Sequence, residues 1–127
     1  MRGIVLFAHG ARDPEWAQPV RRLAGLVAAA DAGARIEIAF LEHLQPPLEQ
    51  AVARLVQQGI GDVTVVPVFI AEGGHLKQDL PRIVEDIRRT HTHLVIRLAP
   101  PIGDSAAVLE AMAAYASAAS HGTKSAK

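Results

Sequence analysis

The chain has 127 residues, half of them hydrophobic, and its 13 Lys and Arg residues balance 13 Asp and Glu residues. This length predicts one domain with its own core, and the balanced charge excludes a general electrostatic attraction to nucleic acid or membranes. The sequence contains no Cys, which excludes disulfides and thiolate sites and leaves His, Asp and Glu as the strong metal ligands.

The apolar run at the N-terminus, residues 3–8, is too short for the hydrophobic part of a signal peptide. No other stretch approaches the length of a membrane-spanning helix. We therefore expect a cytoplasmic protein that binds neither nucleic acid nor membranes.

Four short runs of aliphatic residues predict β-strands at residues 3–8, 35–40, 62–68 and 93–98. A turn rich in polar residues, Gly or Pro follows each run, and helical periodicity follows the turn. This alternation predicts a parallel sheet with helices on its faces. Because no linker interrupts the chain, we expect a single domain over residues 1–120 and a flexible tail over residues 121–127.

Three helices have clear sequence patterns. The pattern after Pro46 and Pro47 is the clearest, since apolar residues recur at the spacing of one helix face and Gly59 suits the end of a helix. These apolar residues are Leu48, Ala51, Val52, Leu55 and Val56. The same design recurs around residues 80–87, and an Ala-rich helix over roughly residues 105–119 is predicted to be capped by Asp104 or Ser105.

Two prolines conflict with regular elements. Asp13, Pro14 and Glu15 have the character of a helix start, yet Pro19 would then remove a hydrogen bond from the helix interior. We therefore expect a kink at Pro19 or a helix that begins near it. Pro67 lies late in the third predicted strand, and because it has no N–H we expect regular pairing to weaken there.

Chemically active side chains follow three of the predicted strands. His9 follows the first, Glu42 the second, and His75 follows the third within the sequence EGGH. Because ligands of open parallel sheets bind at the carboxyl ends of the strands, we expect these two imidazoles and one carboxylate on a single rim. An imidazole, with an ordinary pKa of about 6.5, can accept a proton or bind a metal at neutral pH.

Glycines and cations surround this predicted rim. Gly10, Gly73 and Gly74 would let the backbone turn sharply and leave the rim open to a large ligand. Arg12 and Lys77 follow the two histidines closely, at positions suited to hold the carboxylates of a bound anion.

Five separated segments of the sequence together resemble a known family. HGARDP, FLE ending at residue 42, VVPVF, GGHLKQD and LAPPIG, in this order and spacing, resemble the small form of the sirohydrochlorin cobaltochelatases. These are class II chelatases, which insert a divalent metal into a tetrapyrrole. The resemblance runs from the first strand to about Gly103, with two departures: Ala11 stands where members usually have Ser, and Pro19 is atypical.

The resemblance implies a role for each residue of the predicted rim. His9 and His75 would be the principal catalytic residues and the metal ligands, and Glu42 would be the active-site acid. Metallation removes two N–H protons from the macrocycle, which calls for nearby groups that accept protons. Which histidine acts as base and which as ligand stays open.

The implied substrates are sirohydrochlorin, which carries many acetate and propionate groups, and a divalent metal, foremost Co²⁺ with Fe²⁺ or Ni²⁺ as alternatives. No tightly bound cofactor is implied. The three rim glycines would line the substrate site, and Arg12 and Lys77, with Arg82 as a weaker candidate, would hold its carboxylates.

We therefore predict an α/β protein with a flavodoxin-like three-layer sandwich, built on a four-stranded parallel sheet of order 2-1-3-4 with helices on both faces. Longer members of the family carry two such units in one chain. The short form therefore resembles a single unit that pairs as a homodimer.

The other acidic and imidazole side chains have simpler interpretations. His43 is adjacent to the site carboxylate and is expected to point elsewhere, while His91 and His93 are expected in a solvated turn and His121 in the tail. Glu72 precedes the rim glycines, and either a place in the site or a place in the turn would suit it.

Other functional classes find little support. The four serines, at residues 105, 117, 120 and 125, do not lie in a strand-to-helix elbow, and the sequence has no glycine-rich phosphate loop. The strongest alternative is a non-catalytic carrier of metal or tetrapyrrole that uses the same rim. Both hypotheses predict metal binding, so only turnover distinguishes them.

Overall fold

Four parallel strands form one sheet in the order β2-β1-β3-β4 in the computed structural model, which describes residues 1–122. The strands are β1 (Arg2–Ala8), β2 (Ala34–Phe40), β3 (Asp62–Pro67) and β4 (Val95–Leu98). The central strand β1 pairs with both neighbours, so that Val5 lies beside Glu37 on one side and Val65 on the other. The predicted parallel arrangement and strand order are confirmed.

The fourth strand is shorter than predicted. It begins at Val95 rather than at residue 93. The Leu94 N–H donates to the His91 carbonyl oxygen at 3.0 Å, which closes a turn before the strand begins.

Pro67 is the last residue of β3, which confirms that regular pairing weakens there. The next N–H, that of Val68, donates to the Phe7 carbonyl oxygen of β1 at 2.8 Å. Because successive residues of a strand face opposite neighbours, the nitrogen of Pro67 faces the β4 side. Its missing N–H costs little there, since pairing between β3 and β4 already ends at Val65 and Leu98.

Four α-helices accompany the sheet: α1 (Ala17–Ala30), α2 (Leu48–Gln57), α3 (Gly74–Thr90) and α4 (Ala106–Ser120). Short 3₁₀ turns at Pro14–Trp16 and Ile102–Asp104 precede α1 and α4. Because α1 begins at Ala17, Pro19 lies in its first turn, where a backbone N–H has no partner within the helix. The second expectation for this segment, a helix that begins near Pro19, is therefore the correct one.

Helices α2 and α3 cover one face of the sheet and form the main core with it. The largest fully buried side chains of this core include Phe7, Leu48, Leu55 and Leu80. Helix α1 covers the opposite face of β1 and β2, where Ala17 packs with Ala8 and Phe40. The predicted three-layer arrangement is confirmed, and it leaves the carboxyl ends of β1, β2 and β3 at one edge of the sheet.

Helix α4 differs from the other helices, because it buries no residue and its main contacts are with the 3₁₀ turn before it. Ser105 caps it, with its Oγ accepting the Val108 N–H at 3.4 Å. The helix ends at Ser120, and residues 121–122 form a turn, while the rest of the predicted flexible tail lies outside the described residues. Within residues 1–122, no helix is both long and apolar enough to cross a membrane.

Candidate functional site

Two of the three predicted rim residues, His9 and His75, line one cleft at the carboxyl ends of the strands, and Glu42 lies beside it. The cleft has a volume of about 290 Å³. It is lined by His9, Leu41, Phe69, Ala71, Gly73, Gly74, His75, Leu76 and Asp79. The fold thus brings both predicted histidines to the same cleft, although they are far apart in the sequence.

His9 and Glu42 are in direct contact beside this cleft. The His9 Nε2 atom lies 3.0 Å from Glu42 Oε2, and the Glu42 N–H donates to the His9 carbonyl oxygen at 3.1 Å. Because an ionised carboxylate only accepts hydrogen bonds, this contact requires the proton of His9 on Nε2. In the neutral imidazole, the Nδ1 atom of His9 then keeps the lone pair that can accept a proton or bind a metal.

Gly10 allows the chain to pass this contact. Its φ angle is 92°, in the left-handed region, and a Cβ atom at this position would lie 2.0 Å from the Glu42 carbonyl oxygen. Both the conformation and the close approach of the β2–α2 loop therefore require glycine. The expectation that Gly10 permits a sharp turn is correct, and its effect is to bring the Glu42 backbone against His9.

The loop after β2 is held by backbone hydrogen bonds. The Leu41 N–H donates to the Ala8 carbonyl oxygen at 2.9 Å, and the Leu44 N–H donates to the Glu42 carbonyl oxygen at 2.8 Å. Within this loop His43 has a φ of 69°, which is uncommon for a residue other than Gly. The conformation of the loop around Glu42 is thus set by main-chain contacts to β1 and within the loop itself.

The expectation that His43 points elsewhere is wrong. Its Nε2 atom lies 3.8 Å from Glu42 Oε2, the same oxygen that contacts His9. The error arose from the rule that successive side chains diverge, which holds for strands and helices but fails where the backbone turns through a left-handed residue.

His75 lies on a helix rather than in a loop. It belongs to the first turn of α3, which begins at Gly74 with Gly73 at the capping position. Neither glycine has a positive φ, and a Cβ atom on either would meet no atom within 4 Å. The backbone at Gly73 and Gly74 thus does not use the freedom of glycine for a sharp turn, but both residues leave their side of the cleft open, as expected.

The two predicted cations differ from Arg82 in their contacts. Arg12 and Lys77 are exposed, and within residues 1–122 neither forms an ion pair with an Asp or Glu side chain. Arg82 instead lies 3.6 Å from Asp79, one of the residues that line the cleft. Arg82 thus has a carboxylate beside it, whereas Arg12 and Lys77 have none within the described residues.

No group of three or more His, Asp or Glu side chains within residues 1–122 is arranged to hold a metal ion. Across the same residues, no hydrogen bond or ion pair joins His75 to His9 or Glu42. His9 and His75 thus each present an imidazole to the cleft separately.

The other candidates lie apart from the cleft. His91 and His93 line a separate cavity of about 270 Å³ before β4, near the amino ends of the strands. Glu72 is half-buried and does not line the cleft. The interpretation of these residues as part of a turn agrees with their positions.

Sequence reasoning missed several residues of the cleft. Leu41 and Phe69 give it apolar sides, and the Phe69 ring meets the His9 ring edge-on with 6.3 Å between centroids. Gly103 does not line the cleft but contacts the backbone of Phe69, since its N–H donates to the Phe69 carbonyl oxygen at 2.9 Å. A Cβ atom at Gly103 would lie 1.9 Å from the Ile70 carbonyl oxygen, so this close approach requires glycine. The LAPPIG segment thus contributes by fixing the backbone that follows β3.

Comparison with known proteins points to one family. A family model described as CbiX matches residues 3–119. A sirohydrochlorin cobaltochelatase of Methanopyrus kandleri is 34% identical over 84 residues, which are 66% of this chain and 59% of that protein. One of the same name from Sulfurisphaera tokodaii is 32% identical over 103 residues, 81% of each chain. The chain therefore spans less than two thirds of the first of these relatives.

Solved structures agree with this result. The crystal structure of a putative cobalamin biosynthesis CbiX protein from Marinobacter aquaeolei VT8 matches with a TM-score of 0.85 and 32% identity, over 97% of this chain and 100% of that one. SirB from Bacillus subtilis with Fe³⁺ matches with a TM-score of 0.75 and 26% identity, over 87% of this chain and 44% of that one. A cobalt complex of the sirohydrochlorin chelatase SirB from Bacillus subtilis subspecies spizizenii matches with a TM-score of 0.66 and 26% identity, over 80% of this chain and 43% of that one.

Proposed function

Because the chain belongs to the CbiX family, we propose that it is a sirohydrochlorin chelatase, which inserts a divalent metal into the tetrapyrrole and releases two protons. The observation that carries this proposal is the cleft at the carboxyl ends of the strands, which is lined by His75 and by His9 with its hydrogen bond to Glu42. We propose that the metal is a substrate and that no further cofactor is needed.

The chemistry assigns distinct tasks to the residues of this cleft. Metal and macrocycle combine as two pyrrole nitrogens lose their protons and donate their electron pairs to the metal. The lone pair on His9 Nδ1 can accept one such proton or hold the metal in passing, while Glu42 fixes the ring through Nε2. His75 supplies a second imidazole from α3, and both histidines bind the metal only transiently.

The metal we propose is Co²⁺, with Fe²⁺ and Ni²⁺ as alternatives. The relatives named above are cobaltochelatases, and the SirB structures contain Fe³⁺ or cobalt. Imidazole and carboxylate ligands accept all three divalent ions, so cellular supply rather than ligand type decides between them.

The sides of the cleft suit the two parts of a sirohydrochlorin molecule. Leu41 and Phe69 present apolar surface on which a flat macrocycle can lie. The exposed side chains of Arg12 and Lys77 can bind the acetate and propionate groups at its edge. The glycines of the cleft, Gly73 and Gly74, leave space for the macrocycle, and Gly10 keeps His9 and Glu42 together.

We also propose that the chain forms a homodimer. Its cleft of about 290 Å³ is at the lower limit of small-molecule sites, which hold about 300–1,000 Å³. The chain also matches only 44% of the SirB chain, so two copies approach the length of that chelatase.

The apolar surface that we propose for the dimer contact is that of helix α4. Its side chains of Met112 and Tyr115 are 42% and 60% exposed, and Glu110 is its only charged residue. Light scattering that finds a monomer at working concentration would contradict this proposal.

The absence of Cys fits a reducing compartment, and we propose a cytoplasmic location.

The rival function is a carrier that binds metal or tetrapyrrole without catalysing insertion. Anaerobic absorbance of sirohydrochlorin in large molar excess over protein, with Co²⁺, Fe²⁺ or Ni²⁺, distinguishes the two. We expect many turnovers per chain and acceleration over the rate without protein. Binding that stops at one equivalent, with no acceleration, would identify a carrier.

A further inference from the structure

Two imidazoles face one carboxylate oxygen beside the cleft. Glu42 Oε2 lies 3.0 Å from His9 Nε2 and 3.8 Å from His43 Nε2. His43 does not line the cleft, and no Lys or Arg within residues 1–122 forms an ion pair with Glu42. The two histidines are thus the side chains that determine where this carboxylate lies.

The backbone leaves the Glu42 side chain as the adjustable part of this contact. Its N–H donates to the His9 carbonyl oxygen, and its carbonyl oxygen packs against Gly10 and accepts the Leu44 N–H. The side chain itself is 51% exposed, so packing does not fix its rotamer. A second polar partner is then needed to keep the carboxylate from turning away from His9.

His43 is held in a position to be that partner. Its φ of 69° places it in a backbone conformation that most side chains avoid, and this conformation directs its ring to Glu42. A distance of 3.8 Å is too long for a direct hydrogen bond, so the imidazole N–H acts on the carboxylate as a dipole or through a bridging water, and both need an N–H donor.

We propose that His43 is a positioning residue, whose imidazole holds the Glu42 carboxylate against His9. This inference rests on the proposed chelatase function only in its effect on rate, since the placement of Glu42 is a property of the protein alone. Because the side chains of His43 and Glu42 are 35% and 51% exposed, the effect is modest.

A matched pair of variants tests this role. His43→Met and His43→Gln have side chains of similar length and share the same backbone strain, but only Gln keeps an N–H donor. We expect His43→Met to lower kcat about two- to five-fold with little change in KM, and His43→Gln to retain most of the wild-type kcat. Equal losses in both variants, with matched thermal unfolding, would overturn the proposal.

A double-mutant cycle with Glu42→Gln tests whether His43 acts through Glu42. We expect His43→Met to cause no further loss of kcat when Glu42 is already Gln, because the group that it positions is gone. A loss of the same factor in both backgrounds would show that His43 acts independently of Glu42 and would overturn the proposal.

A spectroscopic measurement separates this inference from the proposed function. The ¹⁵N chemical shift of His9 Nε2 reports its hydrogen bond to Glu42 and needs no substrate. We expect His43→Met to move this shift toward its value in Glu42→Gln, and His43→Gln to leave it near the wild-type value. An unchanged shift in His43→Met would overturn the proposal, whether or not the wild-type protein inserts metal.

Discussion

The two sides of the cleft are built differently. The β-loop wall (His9 and Leu41, which line the cleft, with Gly10 and residues 42–44 beside them) is held by main-chain hydrogen bonds to β1 and by the close approach of Gly10 to Glu42. The α3 wall (residues 73–76) is the start of a helix with no side-chain cap. A Cβ atom added at either of its two glycines would meet no atom within 4 Å. One wall therefore fixes a hydrogen-bonded pair, while the other presents a single imidazole beside open space.

The largest effect is expected for Gly10→Ala in the β-loop wall. A Cβ atom there would lie 2.0 Å from the Glu42 carbonyl oxygen, and the φ of 92° adds backbone strain. We expect the free energy of unfolding to fall by about 2–4 kcal/mol and insertion activity to be nearly lost. Chemical denaturation with parallel rate measurements checks this, and wild-type behaviour of Gly10→Ala would show that the two loops separate easily.

Glu42→Gln removes the charge of the same wall but keeps its shape. We expect kcat for metal insertion to fall about 10- to 100-fold, because the His9 ring loses the charged partner of Nε2. Stability should change little, since the Glu42 side chain is half-exposed. Steady-state kinetics with a thermal unfolding curve as control measures both, and an unchanged kcat would remove Glu42 from the chemistry.

The cations beside the two walls should affect binding rather than chemistry. Lys77→Ala and Arg12→Ala are each expected to raise KM for sirohydrochlorin about two- to five-fold with kcat unchanged, because both side chains are exposed and their contacts are screened by water. Arg82→Ala is the matched control, since Arg82 lies beside Asp79. A KM that rises as much in Arg82→Ala would contradict the assignment of the substrate cations.

The smallest effect is expected for Gly74→Ala in the α3 wall. The position is helical and open, so Ala should leave the free energy of unfolding unchanged or raise it by up to about 1 kcal/mol. Denaturation of this variant beside Gly10→Ala gives a direct contrast between the walls. A loss of stability similar to that of Gly10→Ala would show that the α3 wall is packed as tightly as the β-loop wall.

The sequence was sufficient for the sheet and for the placement of His9 beside Glu42. Alternating strand and helix patterns predict a parallel sheet, in which the carboxyl ends of neighbouring strands lie at the same edge. Because His9 and Glu42 each follow such a strand end, they could be predicted to lie together. Pro19 also gave a usable signal, because only the first turn of a helix tolerates it well.

Other features depend on tertiary contacts that no local pattern reports. Periodicity around residues 80–87 predicts the middle of α3, but Gly73 and Gly74 argue locally against its start at residue 74, where Leu76 packs against the core. The contact between His43 and Glu42 depends on one left-handed residue in a loop. For α4, the Ala-rich pattern predicts a helix but not that its apolar residues remain exposed.

The initial rate of Co²⁺ insertion into sirohydrochlorin, measured anaerobically for the wild-type protein, His9→Ala and His75→Ala, tests most directly whether the two walls act together. We expect the wild-type protein to accelerate insertion and both variants to lose most of that acceleration, because each removes the imidazole of one wall. Full insertion activity in His75→Ala would contradict a site built from both walls and would leave the β-loop wall alone as the reactive part of the cleft.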